Sequence, residues 1–251
     1  EILVTEMEHH ANLVPWQQLC QQKGATLKII PVLDSAEIDL QAFETLLNNK
    51  VKLLAITHIS NVLGTINPIK HIVAKCHQAN CKVLVDGAQA VAHVPIDVQD
   101  LDCDFYVFSG HKCFAPEGTG ILYGKKDLLD HMPPWKTGGE MVKTVDFFAA
   151  TYQPVPLKFE AGTPNISGII ALAEALLFLS NLDRAKLHQQ EQDLQDLAEL
   201  HLSEISGLRI HSKATQKSSI IAMSIDGCQS MDLAALLDEQ NIAVRSGHLC
   251  A

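Results

Sequence analysis

Between Val51 and Val85 a short, nearly continuous apolar run (Val51 to Thr57) leads into a segment with one apolar helical face, which is followed by a second apolar run (Lys82 to Val85). Runs of this length are typical of strands buried on both faces. After Pro68, a residue tolerated in a first helical turn, Ile69, Ile72, Val73 and Cys76 recur at the spacing of a helix packed on one side, up to Asn80. The three pieces make a βαβ unit, with parallel strands and a right-handed connection, and the expected fold class is therefore α/β. Asp104 to Phe108 and Gly120 to Tyr123 read as third and fourth strands. Residues 132 to 165, rich in Pro, Gly and Thr, read as a long functional loop or crossover. Helices resume at Ser167: a largely apolar one carrying Ile169, Ile170, Ala173, Leu176 and Leu177, then a polar one with a leucine stripe from Arg184 to Ile205. A smaller α/β unit follows, with Ser219 to Ile225 as strand, Ser230 as N-cap of a helix reaching Asn241, and Ile242 to Arg245 as strand. The shift in composition near Ser180 to Arg184 predicts a large domain over 1–180 and part of a small C-terminal domain over 181–251.

At 251 residues the chain has room for one large domain and part of another. With 47% hydrophobic and 19% charged residues it is neither disordered nor of low complexity. Its 19 basic and 29 acidic residues sum to a charge of −10, which excludes a general attraction to polyphosphate, so nucleic acid is not an expected partner. Apolar stretches such as Ile169 to Leu179 fall short of the roughly 18 residues a membrane span requires, and a soluble protein is expected. The opening Glu1-Ile2-Leu3-Val4 reads as the middle of a strand in a fragment rather than as a signal peptide, and Ala251 reads as a truncated end. Seven scattered cysteines without a Cys-x-x-Cys pair argue against a disulfide framework and a zinc ribbon. A reducing, cytoplasmic compartment is expected, with no metal site.

Three strand ends run into polar residues, and in open parallel sheets ligands bind beyond the carboxyl ends of the strands. These are Thr57-His58-Ile59-Ser60-Asn61, Asp86-Gly87-Ala88-Gln89 and Ser109-Gly110-His111-Lys112. An aspartate at one strand end and a lysine 26 positions later at another suit pyridoxal phosphate. The amine can condense with the cofactor aldehyde, and the carboxylate can pair with the pyridinium nitrogen. Taken singly, an aspartate such as Asp86 after a strand is usually a helix cap or turn former, and a lysine such as Lys112 is usually solvated. In Glu8-His9-His10-Ala11-Asn12, neighbouring histidines on a strand point to opposite faces and do not easily share an ion. A ring stacked on a flat cofactor suits one of them, against the alternative of a core histidine bonded to backbone. Cys76 and Cys81 straddle a helix end and read as small packing residues. Cys250 follows Arg245-Ser246-Gly247-His248-Leu249, a glycine-containing loop whose cation and imidazole favour a nucleophilic thiolate; an inert buried cysteine is the alternative.

Together, Glu8-His9-His10-Ala11-Asn12, Ser60-Asn61-Val62-Leu63-Gly64, Val85-Asp86-Gly87-Ala88-Gln89, Ser109-Gly110-His111-Lys112, Ala161-Gly162-Thr163-Pro164-Asn165 and Arg245-Ser246-Gly247-His248-Leu249-Cys250-Ala251 resemble the SufS-type (group II) cysteine desulfurases. These are class V aminotransferase relatives with the type I pyridoxal-phosphate-dependent transferase fold. The likeness runs in order over essentially the whole chain. It implies that Lys112 binds the cofactor aldehyde, Asp86 pairs with the pyridinium, His9 stacks on the ring, and Gln89 contacts the phenolic oxygen. It further implies that Ser109 and His111 contact the phosphate, that Thr163 reaches a phosphate across a homodimer interface, and that Asn61 lies near the cofactor oxygen and the substrate carboxylate. Cys250 matches the cysteine that takes the substrate sulfur as a persulfide. Two departures stand out. Family members continue at both ends, with a phosphate-binding turn before this segment and a carboxylate-binding arginine after it, and Leu249 stands where close relatives often carry a second histidine.

The resemblance implies conversion of L-cysteine to L-alanine, with Lys112 as general base and Cys250 as nucleophile, and transfer of the sulfur to an acceptor protein for iron-sulfur cluster assembly. L-selenocysteine is the alternative substrate. The alternative activities are a selenocysteine lyase, which needs the same pocket, another class V enzyme such as an aminotransferase, which needs no Cys250, and a non-catalytic homologue that only binds a sulfur-relay partner.

Overall fold

Leu3, Val4, Leu54, Ala55, Ile56, Val83 and Val85 are each at most 1% exposed, as strands covered on both faces require. In the computed structural model, which describes residues 1–251, the chain divides into two units, Glu1–Cys103 with Leu182–Ala251 and Asp104–Asn181. The first unit begins with β1 (Ile2–Thr5), α1 (Val14–Lys23), β2 (Leu27–Ile30), α2 (Leu40–Leu46), β3 (Leu53–Thr57), α3 (Ile69–Gln78), β4 (Lys82–Asp86) and a single turn, α4 (Val98–Leu101). Its strands pair in the order β2-β1-β3-β4, all parallel, with Leu54 opposite both Leu3 and Val83. The expected βαβ unit is present: α3 starts after Pro68 and buries Ile69, Ile72, Val73 and Cys76. Asp39 caps α2, its Oδ1 accepting from the N–H groups of Gln41 and Ala42 at 2.9 Å each.

In the second unit β5 (Phe105–Ser109) and β6 (Gly120–Gly124) are antiparallel, with Ser109 opposite Gly120. A Cβ at Gly120 would lie 2.9 Å from the Phe108 carbonyl oxygen, so the close pairing here needs glycine. After α5 (Lys126–His131), the segment expected to be a loop contains a hairpin of β7 (Val142–Val145) and β8 (Ala150–Tyr152). The hairpin turns on Asp146, whose Oδ1 accepts from the N–H groups of Phe148 at 2.7 Å and Ala149 at 2.9 Å. Such an Asx turn is local chemistry that a count of Pro and Gly does not register. α6 (Ile166–Asn181) follows, its first turn capped by Asn165, whose Oδ1 accepts from the Gly168 N–H at 3.1 Å.

The chain then returns to the first unit through α7 (Arg184–Ser203), the antiparallel pair β9 (Leu208–Ile210) and β10 (Met223–Ile225), and α8 (Ser230–Asp238). Three expectations are corrected here. The strand anticipated from Ser219 is ordered as such only from Met223, because its partner β9 is three residues long. Ser230 is the first residue of α8 rather than its cap, which is Gln229, and the helix ends at Asp238. Ile242 to Arg245 is not a strand: no segment offers it a ladder, and Ile242 and Val244 remain exposed. No single helix is long and apolar enough to cross a membrane.

Candidate active site

The residues singled out from the sequence fall in both units. In the first, β1 ends at Thr5, so His9 does not stand on a strand as expected. It precedes a 3-10 turn over His10–Asn12 and caps it, its Nδ1 accepting from the Ala11 N–H at 3.0 Å. An accepting Nδ1 carries no proton, which leaves a neutral ring with its hydrogen on Nε2. The His9 and His10 rings are tilted at 49° with centroids 6.3 Å apart.

β4 ends on Asp86, half-buried, with Oδ1 accepting from the Ala88 N–H at 2.9 Å. That bond starts the turn carrying Gln89, which is half-buried as well. The Asp86 carbonyl accepts from the His58 N–H at 2.8 Å, joining the ends of β4 and β3. His58 is buried, and burial pushes its imidazole down to about 4, so the ring is neutral.

Asn61 stands on a tight loop built by its neighbours. Ser60 Oγ accepts from the N–H groups of Val62 and Leu63 at 3.3 and 3.1 Å, the Gly64 N–H returns to the Ser60 carbonyl at 3.1 Å, and Gly64 holds φ +72°. A side chain there would be strained and would also press on the Ile220 carbonyl oxygen at 3.1 Å, so the glycine of this motif is structural. The half-buried Asn61 donates through Nδ2 to the Leu249 carbonyl at 2.8 Å, while the His10 N–H donates to the Cys250 carbonyl at 2.8 Å. Cys250 is thereby docked on the two loops that carry His9 and Asn61. Leu249 and Cys250 have φ of 55° and 61°, a region in which non-glycine residues cost roughly 1 kcal/mol or more each, and the two bonds offset part of that cost. Arg245 Nη2 lies 3.7 Å from Cys250 Sγ.

In the second unit β5 delivers Ser109, after which a 3-10 turn over Gly110–Cys113 presents His111 and Lys112. A Cβ on Gly110 would come within 2.4 Å of Thr119 Oγ1, so glycine lets this turn sit against the start of β6. His111 is exposed and Lys112 half-buried; Lys112 Nζ makes no hydrogen bond or ion pair, leaving a primary amine available to a carbonyl carbon. Thr163 is exposed on the segment that leads into α6.

Two residues of the first unit carry more structural weight than the sequence alone disclosed. One is His58, and the other is Glu8, a 2% exposed carboxylate that accepts from Thr5, Asn12 and the Thr57 N–H. The signal for Glu8 was an acid at the end of an apolar run, beside a histidine pair.

The sequence matches the profile of the family described as aminotransferase class-V over residues 1–251. A cysteine desulfurase from Yersinia pestis (strain Pestoides F) is 47% identical over all 251 residues, and the chain spans 62% of that relative's length. Among solved structures, the cysteine desulfurase CsdA from Escherichia coli, in an S-sulfonic acid form, aligns with TM-score 0.95 and 41% identity, covering 100% of this chain and 62% of that one. The apo cysteine desulfurase from Thermococcus onnurineus NA1 aligns with TM-score 0.94 and 32% identity, covering 100% of this chain and 63% of that one. The fold is the α/β, type I pyridoxal-phosphate-dependent transferase fold expected above, with a mainly parallel sheet. With the match running from Glu1 to Ala251, the chain belongs to the aminotransferase class-V family.

Proposed function

We propose that the protein is a pyridoxal-phosphate-dependent cysteine desulfurase of the SufS type, converting L-cysteine to L-alanine and taking the sulfur onto Cys250. The observation that carries this reading is the docking of Cys250 through His10 and Asn61, because an aminotransferase has no use for a thiol held at those loops. The likeness to named cysteine desulfurases at 47% and 41% identity supports it.

The residues present fit the cofactor. Lys112 offers an unpartnered amine, Ser109 and His111 offer donors for a phosphate, and Asp86 offers a carboxylate oxygen, Oδ2, not engaged in the turn. His9 offers a flat neutral ring and Gln89 a side-chain amide. When bound, pyridoxal phosphate supplies an electron sink for the substrate α-carbon. Lys112 Nζ would hold the cofactor until the substrate amine displaces it, and the freed amine would then take the α-proton as general base. Asp86 keeps a positive charge on the ring nitrogen favourable. Cys250 Sγ, as thiolate, bonds to the substrate sulfur as the carbon–sulfur bond breaks, leaving a protein persulfide. Arg245 stands beside that sulfur as the nearby positive charge.

The finer assignments belong to the same reading. The protein acts as a cytoplasmic homodimer in which Thr163 reaches the partner subunit's cofactor phosphate. A large cofactor-binding domain covers 1–180, and 181–251 is part of a small domain. A sulfur-acceptor protein carries the persulfide sulfur towards iron-sulfur clusters. The deciding experiment gives the full-length protein, loaded with pyridoxal phosphate, L-cysteine or L-selenocysteine and measures alanine together with the mass of Cys250. Alanine from cysteine with a gain of one sulfur on Cys250 is expected. Alanine from selenocysteine alone makes it a selenocysteine lyase, and no alanine from either substrate overturns the reading.

A further inference from the structure

Glu8 is a buried carboxylate, 2% exposed, with no lysine or arginine paired to it. Burial pushes its carboxyl up to about 7, and the negative charge of Asp86 pushes the same way. Buried carboxylates without a cation are costly, so its hydrogen bonds bear on why it is there. Oε1 accepts from Thr5 Oγ1 at 2.6 Å and from the Thr57 N–H at 3.0 Å, and Oε2 accepts from Asn12 Nδ2 at 2.7 Å. Asn12 Oδ1 in turn accepts from Trp16 Nε1 at 3.1 Å.

The direction of this chain is fixed by its outer members. An indole nitrogen only donates, so it claims the oxygen of Asn12 and turns the Asn12 amino group towards position 8. The Thr57 N–H only donates as well. Position 8 must therefore accept on both of its terminal atoms, which an ionised glutamate does and the nearly isosteric glutamine does not. His9 lies in the turn between Glu8 and Asn12, so the chain that ties these two residues to the ends of β1 and β3 also sets where the His9 ring points.

We propose that Glu8 is a positioning residue of the cofactor site: through Asn12 and Trp16 its carboxylate fixes the turn that presents the His9 ring to bound pyridoxal phosphate. The inference rests on the cofactor reading given above, and its test separates the two.

The test uses the full-length protein and two variants, Glu8→Gln and the double variant Glu8→Gln with Asn12→Asp. The single change sets a donor against the Asn12 amino group. The double change reverses the polarity of that contact: the new amide donates to the new carboxylate, which still accepts from Trp16, and the net charge is that of the wild type. Two quantities are measured, hydrogen exchange of the 8–13 amides in cofactor-free protein and the Kd for pyridoxal phosphate by absorbance titration. Glu8→Gln is expected to speed exchange and weaken cofactor binding about tenfold, as a mismatched buried contact does, and the double variant to restore both to about twofold of wild type. Wild-type exchange and cofactor Kd in Glu8→Gln overturn the proposal. So does a double variant, folded or not, that fails to recover the Kd. If Glu8→Gln does not fold, the double variant decides alone. A wild-type protein that binds no pyridoxal phosphate overturns the functional reading instead, while the exchange rates still decide whether the chain orders the turn.

Discussion

Asn61 Nδ2 and the Leu249 carbonyl oxygen are 2.8 Å apart, joining residues 188 positions distant in sequence. A residue expected to face cofactor and substrate thus also holds the loop bearing Cys250, the proposed sulfur acceptor. Asn61→Asp replaces the donor with a charge facing a carbonyl oxygen. The expected outcome is a loss of about 10- to 100-fold in alanine formation by the full-length protein, from one half-buried hydrogen bond converted to repulsion. Hydrogen exchange of residues 246 to 251 should rise in parallel. Unchanged exchange in that segment would show that the bond does not hold the loop.

Lys112→Ala should abolish turnover and the cofactor's visible absorbance. No other lysine stands on the turn after β5: Lys125 and Lys126 follow β6, and Lys126 is paired with Asp130. Borohydride reduction followed by peptide mapping is expected to find the cofactor on the peptide containing Lys112. Recovery on another lysine would refute the assignment.

Asp86→Asn should retain part of the cofactor and lose most activity. The amide still accepts from the Ala88 N–H, so the turn survives, but it cannot balance a positively charged ring nitrogen. A lost charge-assisted bond of this kind costs about 1.5 to 3 kcal/mol, or about 10- to 150-fold in rate. Near-normal alanine production would remove Asp86 from this role.

Cys250→Ala should leave cofactor absorbance and cysteine binding intact while preventing persulfide formation. The backbone bonds from His10 and Asn61 involve carbonyl groups that survive the substitution, so the loop stays docked. Cys76, Cys81, Cys103 and Cys113 are buried, and alanine there should act through packing. The readout is the persulfide mass on each single-cysteine variant. Near wild-type persulfide in Cys250→Ala would place the nucleophile elsewhere.

The parts of the fold visible in sequence are those whose cause is local. The period of Ile69, Ile72, Val73 and Cys76 and the apolar runs of β3 and β4 follow from burial on one face or two, and each strand end fell within two residues of its expected place. The β7–β8 hairpin was hidden because its strands are mostly exposed and carry little apolar alternation. Ile242 to Arg245 had strand composition without a ladder partner, and partners are not written in a segment's own residues. The candidate site divides in the same way. Asp86, Lys112 and Cys250 were marked by residue type and neighbours. Glu8 gains its meaning from Thr57, 49 positions away, which only the pairing of β1 with β3 brings near.

Glu8 and His58 also make opposed contributions to stability against pH. The folded-state value of Glu8 is raised from 4.5 to about 7, so between these limits the folded protein holds a proton that the unfolded chain has released, and stability falls as pH rises through this window. For His58, lowered from 6.5 to about 4, the unfolded chain holds the extra proton and stability rises with pH between 4 and 6.5. Each shift corresponds to about 3 kcal/mol at full development. The two slopes cancel between pH 4.5 and 6.5, and the wild-type profile hides both. Single substitutions should expose them. Relative to wild type, Glu8→Gln should gain about 3 kcal/mol as pH rises from 4.5 to 7, whatever its absolute stability. His58→Gln should lose about the same amount between pH 4 and 6.5. Urea unfolding of the three proteins across pH 4 to 8 measures both differences, and profiles parallel to wild type would show that neither group titrates away from its ordinary value in the folded protein.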